Sequence, residues 1–105
     1  MLVKLFEDNE YYQEISSEEY YEYPNISYNQ KEINRLENVF RDYSVESDDQ
    51  LVVVQITNKF DAFGYIYKLP DEWYLVCLVH HQPNDSGYYK CDQLEGLIKL
   101  VQVLL

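Results

Sequence analysis

Trp73-Tyr74-Leu75-Val76-Cys77-Leu78-Val79 is the longest wholly apolar and aromatic run that also carries strand-favouring residues. Read as a strand, it puts Trp73, Leu75, Cys77 and Val79 on one face and Tyr74, Val76 and Leu78 on the other. Both faces are apolar, which predicts a central strand covered on two sides.

The flanking turns place its neighbours. Leu69-Pro70-Asp71-Glu72 is a turn sequence, because Pro presets the second turn position and Asp can bond the backbone beyond it. The strand before it, Ala62 to Leu69, therefore pairs antiparallel with the central one, with Phe63, Tyr65, Tyr67 and Leu69 on one face. Gly64 within it marks a bulge or a close backbone approach. Asn58-Lys59-Phe60-Asp61 is a further turn, preceded by the β-branched strand Leu51 to Thr57. On the other side, residues 81 to 87 form a loop, and Tyr88-Tyr89-Lys90-Cys91 returns as a short strand.

Two helices follow from capping patterns. Asn29 before Gln30, with Glu32 at the third position, forms a capping box for a helix from Gln30 to Tyr43. Tyr28 and Ile33 are placed for a hydrophobic staple, and Ile33, Leu36, Phe40 and Tyr43 form one apolar stripe. Asp92 with Glu95 predicts a second capping box. It opens a C-terminal helix with Leu94, Leu97, Ile98, Val101 and Leu105 on one side, and Leu100, Val103 and Leu104 widening that side. Ser44 to Gln50 reads as a polar connection, and Met1 to Phe6 as a short edge strand with Lys4 as its edge charge.

The expected architecture is α+β: an antiparallel β-meander of three to five strands with two α-helices packed on it. A chain of 105 residues supports one domain, residues 1–105. Its acidic N-terminal half, 1–49, carries one helix, and 50–105 carries the meander and the C-terminal helix.

Charge is the strongest global signal. Nineteen acids against eight bases leave −11. The balance is uneven: residues 7–49 hold 13 acids and three bases, and residues 50–105 hold six and four. From residue 7 to residue 30 there is no base, and half of the 12 tyrosines fall there. Glu18-Glu19-Tyr20-Tyr21-Glu22-Tyr23 is the densest part. Ser16 or Ser17 can cap a short helix here, and Pro24 stops it. Such a segment reads either as a solvated acidic face with its rings laid on the core, or as a partner surface centred on Glu18, Glu19, Tyr20, Tyr21, Glu22 and Tyr23.

An acidic surface repels nucleic acid and anionic membranes, and no run of about 18 apolar residues is present. Direct nucleic-acid binding and a membrane role are therefore not expected. The same surface attracts basic proteins, with carboxylates standing in for phosphates. The expectation is a non-enzymatic acidic binding protein that inhibits a basic nucleic-acid-handling partner, such as a nuclease toxin or a defence protein. Toxin-immunity proteins and DNA mimics work in this way. The alternative is an adaptor subunit docking through its apolar C-terminal helix.

Cys77, His80, His81 and Cys91 are the remaining chemical candidates. A hairpin centred near Asn84-Asp85 would set Cys77 and Cys91 opposite each other, open to a disulfide or, with His81, part of a metal site. A thiol at Cys91, just before a helix, would have a lowered pKa and could pair with His80 or His81 as a nucleophile. No C-x-x-C, H-E-x-x-H or phosphate loop occurs. The expectation is no cofactor, no metal and two reduced thiols in the cytoplasm.

Overall fold

The computed structural model describes residues 12–23, 26–70, 73–79 and 87–105. Its chain order is β1 (Tyr12–Ile15), α1 (Ser17–Glu22), α2 (Gln30–Val39), β2 (Ser44–Ser47), β3 (Val53–Thr57), β4 (Phe63–Lys68), β5 (Trp73–Val79), β6 (Gly87–Asp92) and α3 (Gln93–Leu104). The six strands form one sheet in the order β1-β6-β5-β4-β3-β2, every pair antiparallel. The α+β class and the central place of Trp73–Val79 are as expected. Among the described residues the strand count is six rather than three to five, and there are three helices rather than two. The edge strand expected at Met1–Phe6, the turn at Asp71-Glu72 and both histidines lie outside the described residues.

The pleat sorts side chains into two layers. On one face Tyr74, Val76 and Leu78 join Val54, Ile56, Ile66 and Cys91 beneath α2 and α3. Ile33, Leu36 and Phe40 of α2, and Leu97, Leu100 and Val101 of α3, complete this core. Full burial of each such aliphatic side chain is worth roughly 1.5–3 kcal/mol. Tyr28 is buried here too, and its hydroxyl donates to the Ile66 carbonyl at 2.8 Å, so its polar tip is satisfied.

The α2 capping box forms: Asn29 Oδ1 accepts from the Glu32 amide at 2.8 Å, and Glu32 Oε1 accepts from the Asn29 amide at 2.9 Å. The helix ends at Val39 rather than Tyr43, because Phe40 leaves helical geometry (φ −105°, ψ 38°). The freed residues make a tight turn, with the Phe40 and Tyr43 rings edge-to-face at 6.0 Å. That turn feeds β2, which the polar sequence Ser44-Val45-Glu46-Ser47 disguises as a connection. Asp48 closes the β2–β3 hairpin, with Oδ1 accepting from the Val52 and Val53 amides. Leu51 adopts a left-handed φ of 58°, so β3 starts at Val53 and not at Leu51. Asn58 builds the next turn by accepting from Phe60 and Ala62, and its Nδ2 donates to the Leu105 carbonyl, tying down the end of α3.

Gly64 marks a close approach and not a bulge. Its register between Ile56 and Leu78 is unbroken, and a Cβ there would lie 2.7 Å from Leu78 Cδ2.

The second capping box does not form. Asp92 occupies the N-cap position of α3 but makes no side-chain cap bond. The pleat explains this. Cys91 faces the helix layer, so Asp92, one residue on, points to the opposite face, and Gln93 turns the chain with φ 62°.

Candidate aromatic and acidic binding face

Among the described residues, the other face of the sheet carries no long helix. Cross-strand register lays out its rows: Glu46, Gln55, Tyr65, Cys77, Tyr88 and Ile15 form one, and Val53, Tyr67, Leu75, Lys90 and Gln13 form the next. Phe63, Tyr65, Tyr67, Trp73, Cys77, Val79 and Tyr88 are all half-exposed. Among the described residues β5 is therefore fully covered on one side, and on the other only at Leu75, beneath Tyr20. Among the described residues only the six-residue α1 rests on the second face.

Local sequence places α1. Ser16 caps it, its side chain accepting from the Glu19 amide at 3.1 Å, and Glu18 and Glu19 occupy the first turn, where a negative charge suits the exposed amides. The helix stops at Glu22, as Pro24 requires. Six residues do not hold a helix in water, so docking must stabilise it. Tyr20 supplies the dock. It is 8% exposed and packs with Leu75 and Leu69, with its ring centroid 4.7 Å from Tyr88 and 6.1 Å from Tyr67. Burial, reinforced by the neighbouring Tyr67 and Cys77, pushes its phenol pKa far up, so it stays neutral.

The six residues expected to form a partner surface are thus divided by their environments. Tyr20 is an anchor within the fold. Glu19 is half-buried and accepts from the Tyr23 hydroxyl at 2.9 Å. That hydroxyl in turn accepts from Lys90 Nζ at 2.9 Å, and Nζ rests 4.5 Å from the centroid of the Trp73 ring. Nζ is also 4.9 Å from the Tyr23 centroid, but a bond to the hydroxyl alone produces that distance, so the ring-face contact belongs to Trp73. Glu18 and Glu22 remain exposed and Tyr21 is 76% exposed, and these three face solvent together.

Five tyrosines, Tyr20, Tyr21, Tyr23, Tyr65 and Tyr67, line a hollow of about 310 Å³ between α1 and the sheet. Leu75 and Cys77 complete its lining. Tyr65, Tyr67, Tyr88, Trp73 and Lys90, expected as strand residues, were not part of the expected partner surface. The usable signal was alternation: Phe63, Tyr65 and Tyr67 share a face, and both apolar helices are already committed to the other one.

A larger hollow of about 590 Å³ lies on the opposite side, near the starts of α2 and α3. Its charges are of both signs, Glu32 and Glu95 with Arg35 and Lys68, and Lys68 pairs with Glu32. Burial raises the Glu32 pKa, but Lys68, the Asn29 amide and Arg35 outweigh it and hold the carboxyl below the usual range.

The cysteines do not meet. Cys77 lies opposite Tyr88 and faces the aromatic side, whereas Cys91 lies opposite Tyr74 and faces the helices. A disulfide or shared metal site between them is excluded by the pleat. Cys91 is fully buried, and burial pushes its thiol up to about 12, contrary to the lowering expected before a helix. Among the described residues no group of three or more His, Cys, Asp or Glu side chains could hold a metal ion. Nor, among those residues, is any helix long and apolar enough to cross a membrane. Comparison of the chain with protein-family models, curated proteins and solved structures gives no match.

Proposed function

We propose that the chain is a non-enzymatic binding protein that engages a basic, nucleic-acid-handling protein through the face bearing α1. A nuclease toxin or a defence protein is a partner of this kind, and the chain would inhibit it by occupying the surface that otherwise holds phosphates. The observation that carries this reading is the pairing of unneutralised carboxylates with half-exposed rings on one side of the sheet. Glu18 and Glu22 sit exposed above the aromatic floor. Among the described residues of that face Lys90 is the one base, and its charge is already engaged by Trp73 and, through Tyr23, by Glu19. The other bases on the regular elements lie on the helix side or its strands: Lys31 and Arg35 on α2, Lys99 on α3, and Lys68 paired with Glu32. Aromatic rings with a carboxylate rim suit recognition of cationic protein surfaces.

Docking through the C-terminal helix has less support. The apolar side of α3 is occupied within the fold, with Leu97, Leu100 and Val101 fully buried and Val103 left 56% exposed. Two free thiols on opposite faces fit a reducing compartment such as the cytoplasm.

The test begins with capture of the partner from the native host, followed by association kinetics at two salt concentrations. Glu18→Lys with Glu22→Lys should slow association by about tenfold or more at low salt, with a smaller effect at high salt. Association at the original rate at low salt would remove the reading's support.

A further inference from the structure

We infer that the tyrosine hollow beneath α1 is a cage for an organic cation, taken as the guanidinium of an arginine side chain on the partner. This inference rests on the binding reading above and names the group that reading requires at its centre. Three observations carry it. Five rings converge on one concavity, and aromatic faces present negative charge density to a cation. The hollow, at about 310 Å³, lies at the lower limit of small-molecule sites and suits one side chain better than an extended ligand. Among the described residues no base lines it, whereas Glu18, Glu19 and Glu22 belong to the helix that forms its wall.

The same face already shows how it treats a cation. Lys90 Nζ rests over the Trp73 ring at 4.5 Å and donates to a tyrosine hydroxyl at 2.9 Å. A guanidinium in the hollow would meet the same two kinds of group, ring face and phenol oxygen, without displacing Lys90. Arginine suits such a site because its planar fork stacks on rings while its N–H groups bond to oxygen. Cys77 contributes a neutral wall, since burial raises its thiol pKa.

The test needs no partner. Nα-acetyl-arginine amide is titrated into the intact protein while the tyrosine ring signals are followed by NMR. The control ligand is Nα-acetyl-citrulline amide, which has nearly the same shape and no charge. The arginine derivative should give saturable shifts at Tyr20, Tyr21, Tyr23, Tyr65 and Tyr67, at least fivefold tighter than citrulline, as a cation–π contribution of this size implies. Tyr65→Leu keeps the wall apolar but removes one π-face, and should weaken arginine binding to the citrulline level. A melting curve for that variant verifies that it is folded. Equal binding of the two ligands would mean an apolar hollow without cation selectivity, and would overturn the inference. Absence of shifts at these rings would overturn it too. Either failure leaves the acidic-surface reading to its own test, because the Glu18 and Glu22 reversals act on partner association at low salt whether or not the hollow is filled.

Discussion

Truncating Tyr20 to alanine should detach α1 while leaving the sheet folded. Tyr20 is 8% exposed, and a buried tyrosine removes about 150–250 Å² from water. At about 25 cal/mol per Å² that is roughly 4–6 kcal/mol as an upper bound. Cutting a buried aromatic to alanine commonly costs about 3–5 kcal/mol when the site cannot relax. Here it can relax. The helix has six residues, cannot persist alone, and docks chiefly through this ring. Once the loss exceeds the docking free energy, α1 lifts away and no further cost accrues. Holding its residues ordered costs about 1–2 kcal/mol each in backbone entropy, so the net docking energy is small. The expected global loss is therefore about 1–3 kcal/mol, or a fall in Tm of roughly 4–8 °C per kcal/mol. Hydrogen exchange followed by mass spectrometry gives the sharper signature: protection of the Tyr20 amide, which bonds to the Ser16 carbonyl at 3.0 Å, should vanish while β5 stays protected. Tyr20→Phe retains the ring and its contacts with Tyr88 and Tyr67, and should leave α1 protected. If Tyr20→Ala leaves α1 protected and costs less than about 0.5 kcal/mol, the ring is not the anchor and the reasoning fails.

Gly64→Ala should destabilise the fold by about 1–3 kcal/mol in urea melts, because the new Cβ meets Leu78 inside a filled core; a neutral result would show that Leu78 yields freely. Iodoacetamide at mildly alkaline pH should modify half-exposed Cys77 before buried Cys91, whose thiol is held up to about 12, and mild oxidation should form no intramolecular disulfide. Peptide mapping over time checks this, and earlier labelling of Cys91 would refute it. Glu32 has a folded pKa below its ordinary value of 4.5, so the unfolded chain takes up the proton first. Its contribution to stability is complete above that ordinary value and is lost as pH falls through the lower folded one. Glu32→Gln should accordingly flatten part of the acid limb of the stability–pH curve, while an unchanged limb would show that Lys68 does not hold the carboxylate.

The parts of the fold legible in the sequence are those where one physical signal dominates. Trp73–Val79 is a strand with the expected bounds because nothing polar interrupts it. The start of α2 is legible because Asn29 and Glu32 bond each other's backbone whatever surrounds them. The missed strands, β1 and β2, are four residues each and lie at the two edges of the described sheet, so one neighbour and one or two buried or half-buried side chains hold each of them. Tyr12 and Val45 carry that signal, and a single apolar residue has no period to read. The capping box of α3 failed for a tertiary reason: strand and helix join without a loop, so the pleat fixes where Asp92 points before any cap can form. The same limit applies to the candidate site. Six acids and tyrosines in a row mark a place in the chain, but which of them are free depends on Lys90, 67 positions after Tyr23.

That distant lysine decides the character of the face. Glu19 accepts from Tyr23 and Tyr23 accepts from Lys90, so of the three acids of α1 it is Glu19 that is drawn into the fold beside a base, and Glu18 and Glu22 that are left exposed. Tyr20 is withdrawn from the surface by its own docking. What reaches solvent is Glu18, Glu22 and Tyr21, set beside the open rings of β4 and β5. A buried ring and a bonded chain from Glu19 through Tyr23 to Lys90 hold the segment over the aromatic floor, which is the ordering the proposed binding surface would use. The ordering has a conformational-entropy cost, and it holds Glu18, Tyr21 and Glu22 on one short helix. Pre-organised groups lose less freedom on association, which is the property a binding surface uses and a solubilising one does not.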